Sequence, residues 1–170
     1  VESDARERDR SDLDTNMEGL GAYILKASTI RPGDILFVGS VSGRTASVVD
    51  LAWEAKKMGI KVIAMSSMSY AKDVDPVHSS GKKLYEFVDL TLDNCAPSAE
   101  AMLHIDGIEA DFAAASGLAS SFILWSVTSV VLDEMMKRGK TPLLLKSANY
   151  PGGTDYNNTE VYPHYKKHGW

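Results

Sequence analysis

Ser40, Ser42 and Thr45 lie within one short stretch, Gly39-Ser40-Val41-Ser42-Gly43-Arg44-Thr45, with Gly43 among them. Three hydroxyls grouped this way can each donate a hydrogen bond to a single anion. Gly43 lets the backbone come close to it, and a helix starting at once would add unpaired N–H groups and a partial positive charge. A hydrogen bond to a charged group contributes about 1.5–3 kcal/mol, so three or four could hold a phosphate dianion without a lysine. A plainer account makes Ser42 an N-cap and Ser40 a turn residue. A cap uses one hydroxyl, however, and this stretch offers three. The pattern is neither G-x-G-x-x-G nor a Walker A loop, so it specifies no nucleotide.

A second polar cluster is His78-Ser79-Ser80-Gly81-Lys82-Lys83, which follows Asp75-Pro76. Ser79, Ser80 and Lys82 could close over a bound anion. His78 titrates near neutral pH and could open a sugar ring or move a proton; the alternative is a surface loop with solvated lysines. Glu100 and His104 are four apart, so a helical turn would place both on one face, with Glu109 nearby. They are candidates for acid–base work, although most such pairs are only exposed neighbours. The histidines and Cys95 show no metal-ligand spacing, so no metal and no cofactor is expected.

These residues need elements to position them. Ile35-Leu36-Phe37-Val38 is a continuous apolar run, the pattern of a strand buried on both faces. Thr45 to Met58 reads as a helix, with Val48, Ala52, Ala55 and Met58 inward and Gly59 closing it. Residues 61–65 form a second apolar strand. Val88, Leu90 and Leu92 alternate with Asp89, Thr91 and Asp93, as in an edge strand exposed on one side. A long helix is expected over 117–138, with Leu118, Phe122, Trp125, Ser129, Leu132 and Met136 on one side, followed by a last strand at Leu143-Leu144-Leu145. Upstream, Leu13, Met17, Leu20 and Ile24 mark a helix from about Ser11 to Ala27, which Gly19 and Gly21 weaken. Strands separated by helices predict one α/β domain with a mainly parallel sheet. Its ligands would sit beyond the carboxyl ends of the strands.

The composition, 44% apolar and 24% charged over 170 residues, is that of an ordinary globular chain. The formal charge of −5 disfavours a general nucleic-acid binder. One cysteine excludes an internal disulfide and fits a reducing, cytoplasmic setting. The longest apolar stretch, 118–132, is interrupted by Ser120, Ser121, Ser126, Thr128 and Ser129, so no membrane partner is expected. Residues 1–14 are nearly all charged and read as a solvated tail. The chain opens at Val1 without an initiator Met, as a fragment or processed form would.

The stretch Asp34 to Thr45, with Glu54-Ala55 and Gly59 behind it, resembles the second βα unit of a SIS (sugar isomerase) domain. His78 to Leu84, Asp93-Asn94-Cys95 and Ser147-Ala148-Asn149-Tyr150-Pro151-Gly152-Gly153 are similar to a bacterial branch of that superfamily, phosphoheptose isomerase-like. The resemblance covers about Thr29 to the C-terminus. It implies a three-layer α/β sandwich with a Rossmann-like (flavodoxin-like) sheet lacking the family's first βα unit. It also implies a division into residues 1–28, a charged tail and helix, and 29–170, a phosphosugar-binding domain with an aromatic tail. Ser40, Ser42, Gly43, Arg44 and Thr45 would bind the phosphate. The implied activity is aldose–ketose isomerisation of a phosphosugar, in a homodimer or homotetramer. A non-catalytic phosphosugar sensor and a sugar-phosphate ether lyase on the same fold are the alternatives. The glutamate of the heptose-type isomerases belongs to the absent first unit, and helix 117–138 contains none of their histidine. The family's catalytic pair therefore does not carry over.

Overall fold

The apolar run after Pro32-Gly33-Asp34 forms β1, Ile35–Gly39, in a computed structural model that describes residues 17–168. Helix α2, Ala46–Lys57, carries the chain to β2, Lys61–Ser66, which pairs with β1 in parallel. A short helix α3, Met68–Asp73, and a 3-10 turn, Leu84–Glu86, precede β3, Leu90–Asp93. The sheet order is β1-β2-β3, all parallel, so β3 is the edge strand its alternating pattern predicts. This is the α/β, SIS-type arrangement: a parallel sheet flanked by helices.

Two compact units separate within the described residues, 17–117 and 118–168. In the first, Val38, Val62 and Ala64 face Val49, Ala52 and Ala55 of α2, with Ile60 and Leu84 closing the core. Burying a side chain of this size contributes about 1.5–3 kcal/mol. The other face of the sheet differs from expectation, since Ile35, Phe37 and Leu90 are 56%, 44% and 52% exposed. Register explains the split: Leu36 and Val38 align with Val62 and Ala64 on the α2 side, and their neighbours along each strand point the opposite way.

Helix α1, Leu20–Ala27, packs on α2. It begins at Leu20 because Gly19 is in the left-handed region at φ 87°. The expected residues 11–16 of that helix lie outside the described part. Gly21, read as a weakness, is required: a Cβ there would lie 2.7 Å from both Asp50 Oδ2 and Leu51 Cα. Asp50 Oδ2 in turn accepts from the N–H groups of Gly19 at 3.1 Å and Gly21 at 2.7 Å. A carboxylate from the middle of α2 therefore caps α1.

Residues 101–114 form an antiparallel hairpin, β4 (Ala101–Leu103) with β5 (Phe112–Ala114), rather than the expected irregular or helical segment. Helix α4, Ser116–Lys137, matches expectation in extent. Its 22-residue length, with an 18-residue stretch of mean hydropathy 1.3, is enough to cross a membrane by length and composition, despite the serines. The core helix of a folded domain passes the same test. Leu143-Leu144-Leu145 forms no strand ladder. Just after it, Lys146 gives its N–H to Asn157 Oδ1 at 2.9 Å and takes Asn157 Nδ2–H at 2.7 Å, so a side-chain amide stands where a partner strand would. Helices α5, Gly153–Tyr156, and α6, Tyr162–His168, complete this unit around a π turn, Asn157–Val161.

Candidate functional site

The hydroxyl loop follows β1 directly, at the carboxyl end of the sheet. Its backbone is tied down on three sides. Ser40 N–H donates to Met65 O at 3.1 Å, Ser66 Oγ–H donates to Ser40 O at 2.7 Å, and Ser67 N–H donates to Val41 O at 2.9 Å. Gly43 sits at φ 64°, where a side chain is strained, and an added Cβ would touch Ala71 Cβ at 3.5 Å. Sheet, α3 and loop thus meet at this glycine.

Ser40 is buried, and its hydroxyl lies 3.2 Å from the Thr45 hydroxyl. Ser42 and Arg44 are half-buried and Thr45 is exposed. Thr45 is the N-cap residue of α2, yet no side chain caps the helix, and its first turn contains no acidic residue. The plain account, with Ser42 as N-cap, therefore does not describe this loop. What remains is a helix N-terminus next to hydroxyls, whose own first turn supplies no carboxylate to its positive dipole end.

The second loop runs back to the first, because Leu84 N–H donates to Gly43 O at 2.8 Å. Ser79 is exposed and gives its N–H to Glu18 Oε1 at 2.8 Å. These bonds from Ser79, aided by His78, hold the Glu18 carboxyl below its ordinary pKa. Lys82 Nζ lies over the Phe87 ring at 5.3 Å. Lys83, next in the chain, donates to Ala71 O at 2.5 Å and Val74 O at 2.9 Å, where α3 ends.

His78 is not a free base on the surface. It is 4% exposed, and its Nδ1 accepts from Ser80 N–H at 3.1 Å, with Ser80 Oγ 2.8 Å away. Its Nε2 faces Glu18 Oε2 at 3.8 Å and Asp50 Oδ1 at 3.9 Å, and Trp53 meets the ring edge-on at 5.3 Å. Glu100 and His104 are in a hairpin, not on a helical turn. Four residues of extended chain put about 13 Å between their Cα atoms. Glu100, at φ 69°, accepts from the buried Ser116 hydroxyl at 2.5 Å, whereas the exposed His104 pairs with Asp111 at 2.8 Å. The bonds of His78, Glu100 and His104 share no partner. Glu109 is exposed.

Sequence reasoning passed over Ser66 and Ser67. Both are fully buried at the end of β2, beside the hydroxyl loop. Ser67 caps α3 by accepting from Tyr70 N–H, and it donates to Ala96 O at 2.5 Å. The signal was there: Ser66-Ser67-Met68-Ser69 is another hydroxyl cluster ending an apolar run. Among the described residues no group of three or more His, Cys, Asp or Glu could hold a metal ion.

Residues 2–67 match the SIS domain family, a match that contains β1, the hydroxyl loop, α2 and β2. The chain is 34% identical to a UPF0309 protein of Shouchella clausii over 148 residues, covering 87% of this chain and 60% of that protein. It is 37% identical to a UPF0309 protein of Streptomyces avermitilis, covering 84% of this chain and 57% of the relative. A UPF0309 protein of Listeria monocytogenes is 33% identical, with 84% and 61% covered. The chain thus spans about 60% of the length of the curated relatives it matches. A SIS domain points to sugar- or phosphosugar-related binding or an isomerase-like function. The N-terminal region of this chain carries a SIS domain, and its relatives are UPF0309 proteins.

Proposed function

We propose that this chain binds the phosphate of a phosphorylated sugar at the loop Ser40–Thr45, as part of a phosphosugar isomerase. The observation that carries the reading is the uncapped N-terminus of α2. The Ser40 and Thr45 hydroxyls lie 3.2 Å apart at this turn, Ser42 stands between them in the chain, and Gly43 lets the loop pack closely against Ala71. Arg44 adds a charge to this loop; Ser79, Ser80 and Lys82 belong to the loop that is anchored on it through Leu84. Isomerisation moves a proton between adjacent carbons. Of the three acid–base candidates, Glu100 is the one whose carboxylate is oriented by a buried hydroxyl in a strained backbone, a combination that concentrates at working sites.

A non-catalytic phosphosugar sensor is the second reading. It is favoured by the separate bonding of His78, Glu100 and His104, each engaged with different partners.

Calorimetry with a panel of aldose and ketose phosphates tests the binding. Ser42→Ala should weaken affinity by about 1–2 kcal/mol, the scale of one charge-assisted bond. The matching unphosphorylated sugars should bind far more weakly. Unchanged affinity in both Ser42→Ala and Thr45→Ala would remove the claim. For catalysis, the same panel in deuterated water should acquire deuterium beside the carbonyl, at a rate reduced at least tenfold in Glu100→Gln while affinity holds. Tight binding without exchange would leave the sensor.

A further inference from the structure

We infer that His78 is a positioning residue for the second loop, and that it holds Ser79-Ser80-Gly81-Lys82 in place only while its Nδ1 carries no proton. As regulation of the proposed phosphate site, the inference rests on that reading; as a property of the loop, it stands on the free protein.

The argument begins with the proton inventory of one ring. Ser80 N–H points at His78 Nδ1 from 3.1 Å, so that nitrogen serves as an acceptor and the neutral ring carries its hydrogen on Nε2. Ser80 Oγ, 2.8 Å from the same nitrogen, can donate as well. Gly81 N–H donates to His78 O at 2.9 Å, so the turn closes on its own first residue. Three residues later Leu84 N–H reaches Gly43 O. The ring therefore fixes one end of a segment whose other end is bonded to the hydroxyl loop.

A second proton on the ring must go to Nδ1. There it would confront the Ser80 N–H, turning an attractive contact into two donors facing one another, and the Ser80 hydroxyl would have to rotate to accept. The groups facing the ring from the other elements lie toward its other nitrogen. Glu18, preceding α1, and Asp50, on α2, present carboxylate oxygens 3.8 and 3.9 Å from Nε2, so an Nε2–H donor points toward acids rather than toward the loop. Lys57 lies over the same Trp53 that touches the ring, 4.7 Å from its centroid. Lys82, on the same loop, sits over Phe87. Protonation would thus draw the ring toward α1 and α2 and release the loop. The same carboxylates work for the fold, since Asp50 caps α1 and Glu18 takes Ser79 N–H.

Long-range proton–nitrogen spectra of the labelled chain, followed from about pH 8 to about pH 5 across the usual histidine range, test this directly. His78 should report hydrogen on Nε2 at the alkaline end. The Ser80 amide resonance should move with the midpoint of His78, and its exchange with solvent, corrected for the intrinsic pH dependence, should quicken at least tenfold below that midpoint. A His78→Gln chain, whose amide can accept but not titrate, should show a flat Ser80 amide. An Nδ1–H tautomer, or a Ser80 amide indifferent to the titration in the unaltered chain, overturns the inference without need of any variant. The link to the site is read with fructose 6-phosphate, whose own protonation is common to both chains. Affinity should fall at least threefold more steeply with falling pH in the unaltered chain than in His78→Gln, and equal slopes would overturn the link. Absence of binding in both chains would remove the phosphosugar reading and leave the Ser80 amide to decide the loop.

Discussion

At Gly21 the two helices of the first unit come so close that only hydrogen fits. Gly21→Ala places a methyl 2.7 Å from Asp50 Oδ2 and from the Leu51 backbone, so α1 must shift. Overpacking of this kind costs about 1–3 kcal/mol, readable as a lower urea midpoint at constant slope. Asp50→Ala would remove the acceptor for two backbone donors and should cost a similar amount, about 1–3 kcal/mol. Neither role was legible beforehand, because a cap supplied by a residue 29 positions away leaves no local pattern. The strand-to-helix turn that carries Ser40, Ser42 and Thr45 was legible for the opposite reason: its residues are six consecutive positions between an apolar run and a helix pattern. His78 was singled out as an acid–base candidate, but its burial and its nearness to Glu18 and Asp50 depend on α1 and α2 packing, which the local sequence does not display.

At the level of elements, the edge strand is held by a carboxylate. Asp89 Oδ2 accepts from Val62 N–H at 2.7 Å, Asp89 N–H returns a bond to Val62 O at 2.8 Å, and Lys56 Nζ lies 2.5 Å from Asp89 Oδ1. The lysine, then the Val62 N–H, hold the Asp89 carboxyl below its ordinary value of 3.8. A depressed carboxyl stabilises the fold above its unfolded pKa, and that contribution is lost as pH falls through the folded one. Stability should therefore decline in acid below about pH 4, and the decline should be shallower in Asp89→Asn. Chemical denaturation at several acidic pH values measures both. The strands β1 and β2 could be read from sequence because continuous apolar runs between turn residues have few other homes. The hairpin at 101–114 was missed although Asp106-Gly107 signalled its turn. Its three-residue strands are too short to show a period. The expected strand at 143–145 failed because composition cannot reveal whether a ladder partner exists.

At the level of the molecule, the aromatic C-terminal segment bears on assembly. Tyr150, Tyr162 and Tyr165 are 71%, 49% and 61% exposed, a group of large rings that a partner copy would cover. Light scattering at micromolar concentration should report a dimer or larger species, shifted downward by Tyr162→Ser together with Tyr165→Ser. A monomer in both chains would count against assembly through this segment. The parallel sheet and its helices were legible at this scale because alternating runs admit few topologies. The separation near residue 117 was not, since it falls at the start of a single continuous helix.

The bond from Leu84 N–H to Gly43 O also sets a schedule for synthesis. Gly43 emerges from the ribosome 41 residues before its clasp, and another tether, Ser67 N–H on Val41 O, comes 26 residues after Val41. At about 5–20 residues per second, the Gly43 carbonyl waits roughly 2–8 s for Leu84 to be made. Until then the nascent loop is an open strap of serines and glycine. Under the proposed reading, a phosphorylated ligand would meet a fully tethered loop only after the chain has been translated well past it.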